Sequence, residues 1–416
     1  MATRTNYELA DIIRLFGAAF VAQYHPNAFQ VRTLDALQQC RTQTYGGHRD
    51  TCDTCGHERF SYNSCGNRHC PKCQISKQMI WAEDTMNGAL NVKYFHVVFT
   101  VPDTLHDICL TDSKAFYGAQ FACAWDTLRT FGYTKYGVET GAIILLHTWG
   151  KQLSLHPHVH CLVPAAGVNL QGQLKLIAEK GNYLYPVQQL SATFRGKMLQ
   201  KLKHQLKKSD NLTAKHQLSI DECYAKDWVV NCEAPLGNAK QIVGYLAQYT
   251  HRVAISNKNI LHVDHTGVTF LYKDYKDQDL NNQPNVKPTT LSGVEFLRRF
   301  CMHILPQRFV KIRYYGILGT RYKKVVQPLK DNSKPDLTKP AETKQQRLVR
   351  ITGFDSCQCP RCKTGTMQTV EMLPKIRSPV NVLYPTEYSD VPRIGKNVNY
   401  SQNPAQNLTL NLNFYC

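Results

Sequence analysis

Two Cys-x-x-Cys pairs near the N-terminus constrain the fold of this chain more than any other feature. They are Cys52 with Cys55 and Cys70 with Cys73. Two pairs at this spacing can present four thiolates tetrahedrally to one zinc ion, which orders a small module without a large hydrophobic core. Because four thiolates leave no open coordination position, the pattern predicts a structural site.

Further possible ligands surround these pairs and would be enough for a second zinc site. The additional candidates are Cys40, His48, Cys65 and His69. Their interleaved order suits a cross-braced module, but spacing alone does not decide how eight ligands divide between two ions. Basic side chains in the same stretch are candidates for DNA contact, with a solvated surface as the equal alternative. These are Arg49, Arg59, Arg68, Lys72 and Lys77.

A third cysteine cluster lies near the C-terminus, where Cys357, Cys359 and Cys362 form the sequence CQCPRC. It is similar to one half of a zinc ribbon, and its other half is not obvious from the sequence. Cys301 and His303 are possible partners, although packing in the core explains His303 better. Clustered cysteines in a reducing compartment indicate metal binding more often than disulfides, whereas the scattered ones are predicted core residues.

The charge of the chain points to a polyanionic partner. Fifty Lys and Arg oppose 31 Asp and Glu, giving a net charge of +19. Nucleic acid is the first candidate and an anionic membrane the second. No apolar run approaches the roughly 20 residues that span a bilayer, and the N-terminus does not resemble a signal peptide. We therefore expect a cytoplasmic, nucleoid-associated protein of bacterial type.

Hydrophobic patterning predicts an α+β fold. Three apolar runs, at 94–101, 141–148 and 158–163, have the length and composition of strands and are expected to be neighbours in one sheet. Helical spacing of apolar residues predicts helices at about 8–24, 79–90, 112–131, 194–208, 240–251 and 295–304. Further strands are expected at 253–256, 268–275 and 309–315.

His158 and His160 flank Val159 on the third of these strands. Residues i and i+2 of a strand point to the same face, so both imidazoles can reach one metal ion while Val159 enters the core. His147 ends the preceding strand, and a hairpin would bring it beside the pair as a third ligand. His156 is expected in the turn. Three neutral imidazoles leave positions open for phosphate and water, as a catalytic ion requires.

Tyr245 and Tyr249 are four residues apart on the predicted helix 240–251. At this spacing two phenols lie on one helix face, about one turn apart. A tyrosine that attacks a phosphodiester forms a phosphotyrosine and releases a hydroxyl end. Without the histidines, aromatic core packing would explain this pair better.

Five ordered segments of the sequence together resemble the rolling-circle, two-tyrosine insertion-sequence transposases of the family numbered ninety-one. They are NSCGNRHCPKCQ (63–74), YFHVVFTVP (94–102), LHTWGKQLSLHPHVHCLVPAAG (146–167), YLAQYTHRVAISN (245–257) and EFLRRFCMHILPQRFVKIRYYG (295–316). The resemblance implies an N-terminal zinc-binding domain and an HUH nuclease domain with a central antiparallel sheet flanked by helices. It also implies a catalytic Mg or Mn ion on His158 and His160, and nucleophiles at Tyr245 and Tyr249.

The resemblance, together with a stretch at about 321–350 that is rich in Lys, Pro, Asp, Thr and Gln and has few large apolar residues, divides the chain into five units. They are 1–90, the N-terminal helix and zinc-binding domain; 91–260, the HUH-type two-tyrosine nuclease domain; 261–320, a basic C-terminal extension of the catalytic region; 321–350, a mobile linker; and 351–416, a cysteine-containing tail. Basic residues of the later segments are candidate DNA contacts. These are Arg252, Arg298, Arg299, Lys311 and Arg313.

The predicted function is a DNA transposase that nicks and rejoins single-stranded transposon ends through 5'-phosphotyrosine intermediates. No phosphate-binding G-x-x-x-x-G-K-[ST] loop is present, so a host helicase or replication machinery is an expected partner. A plasmid-type rolling-circle initiator or relaxase would use similar residues. A non-catalytic, zinc-dependent DNA-binding protein would explain the charge and the cysteines, but neither the histidines nor the tyrosines.

Overall fold

The computed structural model describes residues 7–178, 184–233, 253–279, 284–330 and 342–376. The predicted helix 240–251, with Tyr245 and Tyr249, and the candidate DNA contact Arg252 lie outside the described residues. The α-helices are α1 (Leu9–Tyr24), α2 (Ala28–Gln38), α3 (Ile75–Gly88), α4 (His106–Thr111), α5 (Ser113–Tyr136), α6 (Val187–Lys208), α7 (Ala214–Ala225), α8 (Gly293–Met302) and α9 (Lys344–Thr352).

The strands form four antiparallel sheets in the described part of the chain. They are β1 (Gly47–Cys52), β2 (Glu58–Tyr62), β3 (Tyr94–Thr100), β4 (Val138–Glu139), β5 (Gly141–Trp149), β6 (Leu155–Pro164), β7 (Ala166–Asn169), β8 (Leu174–Leu176), β9 (Val230–Glu233), β10 (Ile260–Val263), β11 (Val268–Gln278), β12 (Pro284–Leu291), β13 (Ile312–Gly316) and β14 (Met367–Leu373). The stretch 253–256, predicted as a strand, is not one.

The central sheet has five strands in the order β13-β5-β6-β3-β9, all antiparallel. The prediction that the three apolar runs are sheet neighbours is confirmed, because β6 pairs with β5 on one side and β3 on the other. β5 and β6 form the expected hairpin, and His147 is the direct cross-strand partner of His158. His156 lies within β6 and not in the turn, because the strand begins at Leu155.

The two faces of this sheet have different coverings. On one face, apolar side chains such as Phe99 and Val159 share a core with α5 and α6. On the other, Tyr94, Leu145 and Leu162 pack with α3 and with residues around Val326. Because side chains alternate along a strand, His158 and His160 belong to this second face.

The N-terminal helices do not form a separate core. Phe20 of α1 and Leu34 of α2 pack in one cluster with Phe270 of β11 and Phe296 of α8. Gly293 is required where α8 meets α1, since a Cβ there would lie 2.0 Å from the ring of Phe16. Of the predicted extension 261–320, β10, β11 and α8 therefore pack on the N-terminal helices, while β13 joins the central sheet.

Of the predicted mobile linker at 321–350, the structure describes 321–330 and 342–350, and a helix begins in the second of these ranges. Within it, α9 packs against α3, with Arg347 paired to Glu83 and Asp84, and Arg350 paired to Glu83. The low apolar content that suggested a linker reflects a helix held by ion pairs. Beyond it, β14 pairs with β1, so residues of the predicted tail complete an N-terminal sheet.

Among the described helices, none combines the length and hydropathy needed to cross a bilayer.

Candidate metal and nucleic-acid sites

The β5–β6 hairpin brings His147, His158 and His160 together. One ring nitrogen from each histidine lies within 4.8 Å of the others. The ring centroids of His147 and His160 are 4.7 Å apart, and those of His158 and His160 are 4.9 Å apart. His147 and His160 are buried, while Val159 between the two β6 histidines is wholly buried on the opposite face. Strand alternation and hairpin register thus build a compact group of three imidazoles.

Hydrogen bonds at Nδ1 favour Nε2 as the metal-facing atom in two of these rings. The Nδ1 of His158 donates to the backbone carbonyl of His156 at 2.7 Å, which leaves a lone pair on Nε2 of the neutral ring. The Nδ1 of His160 lies 2.8 Å from Nε2 of His96 on β3. Histidines that bind metals commonly engage their other ring nitrogen in this way.

The surroundings also keep the rings of His158 and His160 neutral. Burial lowers the pKa of His158 to about 4. Burial, followed by the charges that His158, His96 and Lys311 can carry, lowers the pKa of His160 well below its usual value. Because only a neutral imidazole offers a lone pair to a cation, the group is fit for a divalent ion at neutral pH.

His96 is a site residue that the sequence analysis missed. It is buried, and its ring is parallel to that of His160, with centroids 5.1 Å apart. The available signal was a single imidazole inside the apolar run YFHVVFTV. That run was expected beside the His158–His160 strand, but only the register shows that His96 and His160 meet.

A first group of four cysteines, Cys40, Cys65, Cys70 and Cys73, lies beside α2 and α3. The Sγ atoms of Cys65 and Cys73 are 3.8 Å apart, and those of Cys40 and Cys70 are 3.4 Å apart. Tetrahedral zinc with bonds of 2.3 Å places sulfur atoms about 3.8 Å apart. This group therefore fits a closed zinc site.

A second group joins Cys52 and Cys55 to Cys359 and Cys362 from the other end of the chain. The Sγ distances from Cys52 to Cys362 and from Cys55 to Cys359 are both 3.7 Å. Cys52 and Cys55 therefore supply the missing half of the CQCPRC cluster. Its partners are not Cys301, which is buried beside α1, or His303, whose ring bonds Thr148 and the carbonyl of Leu153.

The structure thus places the two Cys-x-x-Cys pairs in different groups, which decides the division of ligands that spacing alone left open. His48 and His69, predicted as zinc ligands, belong to neither group because four thiolates already complete each one. His48 is buried with its Nε2 3.3 Å from Asp50. Cys357 also lies outside the groups, and Gln345 donates to its Sγ at 2.7 Å.

Among the candidate DNA contacts that the structure describes, Arg298 and Arg299 are paired with a carboxylate, whereas Lys311 and Arg313 lie over aromatic rings. Arg298 and Arg299 are paired with Glu295 at 2.6 and 2.7 Å and hold the pKa of that carboxyl down to about 2, so much of their charge is neutralised within the protein. Arg313 lies over the ring of Phe121 at 4.2 Å. Lys311 lies 5.1 Å from the ring centre of Trp149, which itself stacks on His147. Lys311 is therefore the candidate nearest the histidines.

The basic residues of the zinc-binding stretch (49–77) differ in whether a carboxylate pairs with them. Arg49, Arg59 and Lys72 are each paired with carboxylates, whereas Arg68 and Lys77 donate to the backbone carbonyls of other residues. Burial, with Lys311 and Arg68 adding repulsion, lowers the pKa of the nearby His69 to about 3.

Two protein-family models match this chain, one in its N-terminal part and one in its central part. A family model described as "Transposase zinc-binding domain" matches residues 12–101, and one described as "Putative transposase" matches residues 141–325. The zinc-binding match and the two cysteine groups support structural zinc. No solved structure matches the chain.

Two curated relatives extend the similarity to most of the sequence. The chain is 37% identical over 396 residues to "Putative transposase y4qJ" of Sinorhizobium fredii, covering 90% of this chain and 98% of the relative. It is 28% identical over 310 residues to the transposase for insertion sequence element IS801 of Pseudomonas savastanoi pv. phaseolicola, covering 70% of this chain and 71% of that relative. With its two family matches and a relative aligned over nearly its whole length, the chain belongs to the IS91 family of insertion-sequence transposases, which carry an N-terminal zinc-binding domain.

Proposed function

We propose that this transposase nicks and rejoins single-stranded DNA at the ends of its element, through 5'-phosphotyrosine intermediates, during rolling-circle transposition. The observation that carries the proposal is the group of His147, His158 and His160 in the central sheet. Three neutral imidazoles offer lone pairs to a cation and leave its remaining positions open. A purely structural role would not need an open coordination sphere.

The three histidines would hold a divalent ion, Mg or Mn, which when bound polarises the phosphate to be attacked and offsets its developing charge. The ligand atoms, all imidazole nitrogens, help to decide between Mg²⁺ and Mn²⁺. Imidazole nitrogen is a better ligand for transition ions than for Mg²⁺, which prefers oxygen. Because the group contains no carboxylate among the described residues, Mn²⁺ is the better fit.

The proposed nucleophiles are the phenols of Tyr245 and Tyr249. Attack of a tyrosine oxygen on the phosphorus forms a phosphotyrosine ester at the 5' end and breaks the bond to the 3' oxygen, which leaves as a hydroxyl after taking up a proton. The reverse attack by a 3'-hydroxyl joins strands and regenerates the phenol. One ester replaces another in each step, so no external energy source is required.

Chain connectivity supports a tyrosine near the histidines. Val253 and Ala254 line the same cleft as Trp149, whose ring stacks on His147. Tyr249 precedes Val253 by four residues, and four extended residues cover at most about 14 Å. Chain length therefore allows Tyr249 to approach the cleft that Val253 and Ala254 line.

The partners follow from the chemistry. Single-stranded ends and a single-stranded target require a duplex to be opened, and this task falls to a host helicase or replication machinery at the nucleoid in the cytoplasm. The net charge of +19 favours association with the polyanionic strand.

The proposal is tested by incubating the protein with a labelled single strand from the element's end and Mn²⁺ or Mg²⁺. Wild type should form a covalent protein–DNA adduct that survives denaturation. Replacing both Tyr245 and Tyr249 by Phe should abolish it, because no phenol oxygen remains to attack. Tyr224→Phe, at an exposed position of α7, is the matched control and should leave the adduct intact. An adduct in the double variant contradicts the mechanism.

A further inference from the structure

A cleft of about 480 Å³ lies where the zinc-binding stretch meets the end of the central sheet. Residues of the stretch 66–77 line one part of it, and β5 with the segment 303–312 line another. This volume is within the range of roughly 300–1,000 Å³ typical of small-ligand sites. It suits one nucleotide and is too small for a duplex.

The cleft carries positive charge on the residues that the structure describes. Four cations line it, Arg68, Lys77, Arg308 and Lys311, and none of the described lining residues is acidic. Arg68 and Lys77 bond only backbone carbonyls in the described contacts, so no carboxylate neutralises them there. An anionic ligand such as a nucleic-acid phosphate is the complement of this surface.

The wall of the cleft also offers an aromatic surface. Trp149 is half-buried and lines it, and Lys311 Nζ lies 5.1 Å from the centre of its ring. A base packed on Trp149 would displace this cation–π contact, and Lys311 would gain a phosphate as a stronger partner. Aromatic rings accept any base by stacking, which suits an unpaired strand.

The position of the cleft ties it to the reacting phosphate. The same Trp149 ring stacks on His147 with centroids 4.9 Å apart. We infer that the cleft binds one unpaired nucleotide next to the attacked phosphate, with its base against Trp149 and its phosphate held by Lys311 and Arg308. The inference rests on the proposed function for the identity of the neighbouring phosphate. Arg68 of the zinc-binding stretch lines the same cleft and adds to its positive charge.

The test measures binding without cleavage, in the Tyr245→Phe, Tyr249→Phe background and without divalent ion. The probe is a single strand from the element's end in which 2-aminopurine replaces one base at a time near the nick. One position should lose fluorescence on binding because its base stacks on Trp149. Trp149→Leu should remove that quenching and weaken binding about tenfold or more, whereas Trp149→Phe should keep most of both.

Charge is tested separately by salt titration of the same strand. Lys311→Gln should lower the slope of log affinity against log salt by about 0.7, the value for one phosphate contact on a single strand. Lys208→Gln, at an exposed position at the end of α6, is the charge-matched control and should not change the quenching. Inorganic phosphate and a length-matched duplex are the competing probes. Neither should displace the strand at concentrations where the unlabelled strand does.

Two outcomes would overturn the inference. One is unchanged quenching in Trp149→Leu, and the other is equal competition by the duplex. Inorganic phosphate competing as well as the strand would reduce the cleft to a simple anion site and would also contradict it. Because every arm measures binding, failure here is distinct from failure of adduct formation, which would sink the proposed function and leave a single-strand binding cleft.

Discussion

The imidazole of His96, on the apolar strand β3, contacts the proposed metal ligand His160, with 2.8 Å between His96 Nε2 and His160 Nδ1. A single proton occupies this contact. If it resides on His160 Nδ1, then Nε2 of that ring carries the lone pair that a cation needs. We therefore expect His96 to be a positioning residue, which would act on the proposed reaction by fixing the tautomer and orientation of His160.

We predict that His96→Ala lowers the affinity of the site for Mn²⁺ by about 10- to 100-fold, the usual effect of removing a partner of a metal-binding histidine. Adduct formation should then need more Mn²⁺ and recover at saturating ion. The measurement is adduct yield against Mn²⁺ concentration.

His96→Gln is the control for this prediction, because its amide can replace the contact with His160 Nδ1 while filling much of the same space. It should restore most of the Mn²⁺ affinity. Equal Mn²⁺ dependence in wild type and His96→Ala, or a Gln variant no better than Ala, would mean that His96 serves only to fill the core.

At the scale of the strand and the hairpin, sequence periodicity was a reliable guide. Alternation placed Val159 in the core and its two histidine neighbours on the other face, and the short connection predicted the hairpin that pairs His147 with His158. These features are local, so the sequence determines them. The roles of Tyr245 and Tyr249 rest on the resemblance and their spacing and stay predictions.

The division of the cysteines between the two groups could not be predicted from the local sequence. Each Cys-x-x-Cys turn was evident, but a turn does not specify which second turn completes it. Cys55 meets Cys359 across 304 positions of sequence, and their approach depends on the pairing of β1 with β14. His48 and His69 were plausible ligands by spacing. They were excluded only when the fold supplied enough thiolates for both groups.

The turn after Cys362 is packed closely against the second cysteine group. A Cβ on Gly365 would lie 2.4 Å from Sγ of Cys52 and 2.6 Å from Oγ1 of Thr54, and the backbone N–H of Gly365 donates to Cys362 Sγ at 3.3 Å. We predict that Gly365→Ala displaces Cys52 or the turn and so weakens zinc binding by this group. Chelator titration with a zinc indicator should show one of two ions released more readily.

Gly118→Ala is the matched control, since a Cβ at that position of α5 meets nothing within 4 Å and Ala favours a helix. It should retain both ions with unchanged chelator resistance. If Gly365→Ala behaves like Gly118→Ala, the second cysteine group does not hold zinc in this geometry.

For the whole molecule, the second cysteine group links the two ends of the described chain. Its ion would close a loop of about 300 residues that includes the central sheet, and α9 adds ion pairs to α3 within the same loop. Constraints that close long loops remove the most entropy from the unfolded chain. With its ion bound, the second cysteine group would stabilise the whole fold, whereas the stretch 66–77 beside the first group lines the cleft.

We predict that replacing both Cys359 and Cys362 by Ser lowers bound zinc from two ions to one and frees β14 from β1, because the remaining two thiolates cannot close a tetrahedral site. Limited proteolysis should then remove the chain after α9 while the central sheet stays protected. Cys232→Ser, at a half-buried position of β9, is the control and should keep two ions, since Cys232 lies outside both groups. Loss of both ions in the double variant would show that the two groups fold as one unit. Two retained ions would show that another residue completes the second group, and the link between the chain ends would then have to rest on strand pairing alone.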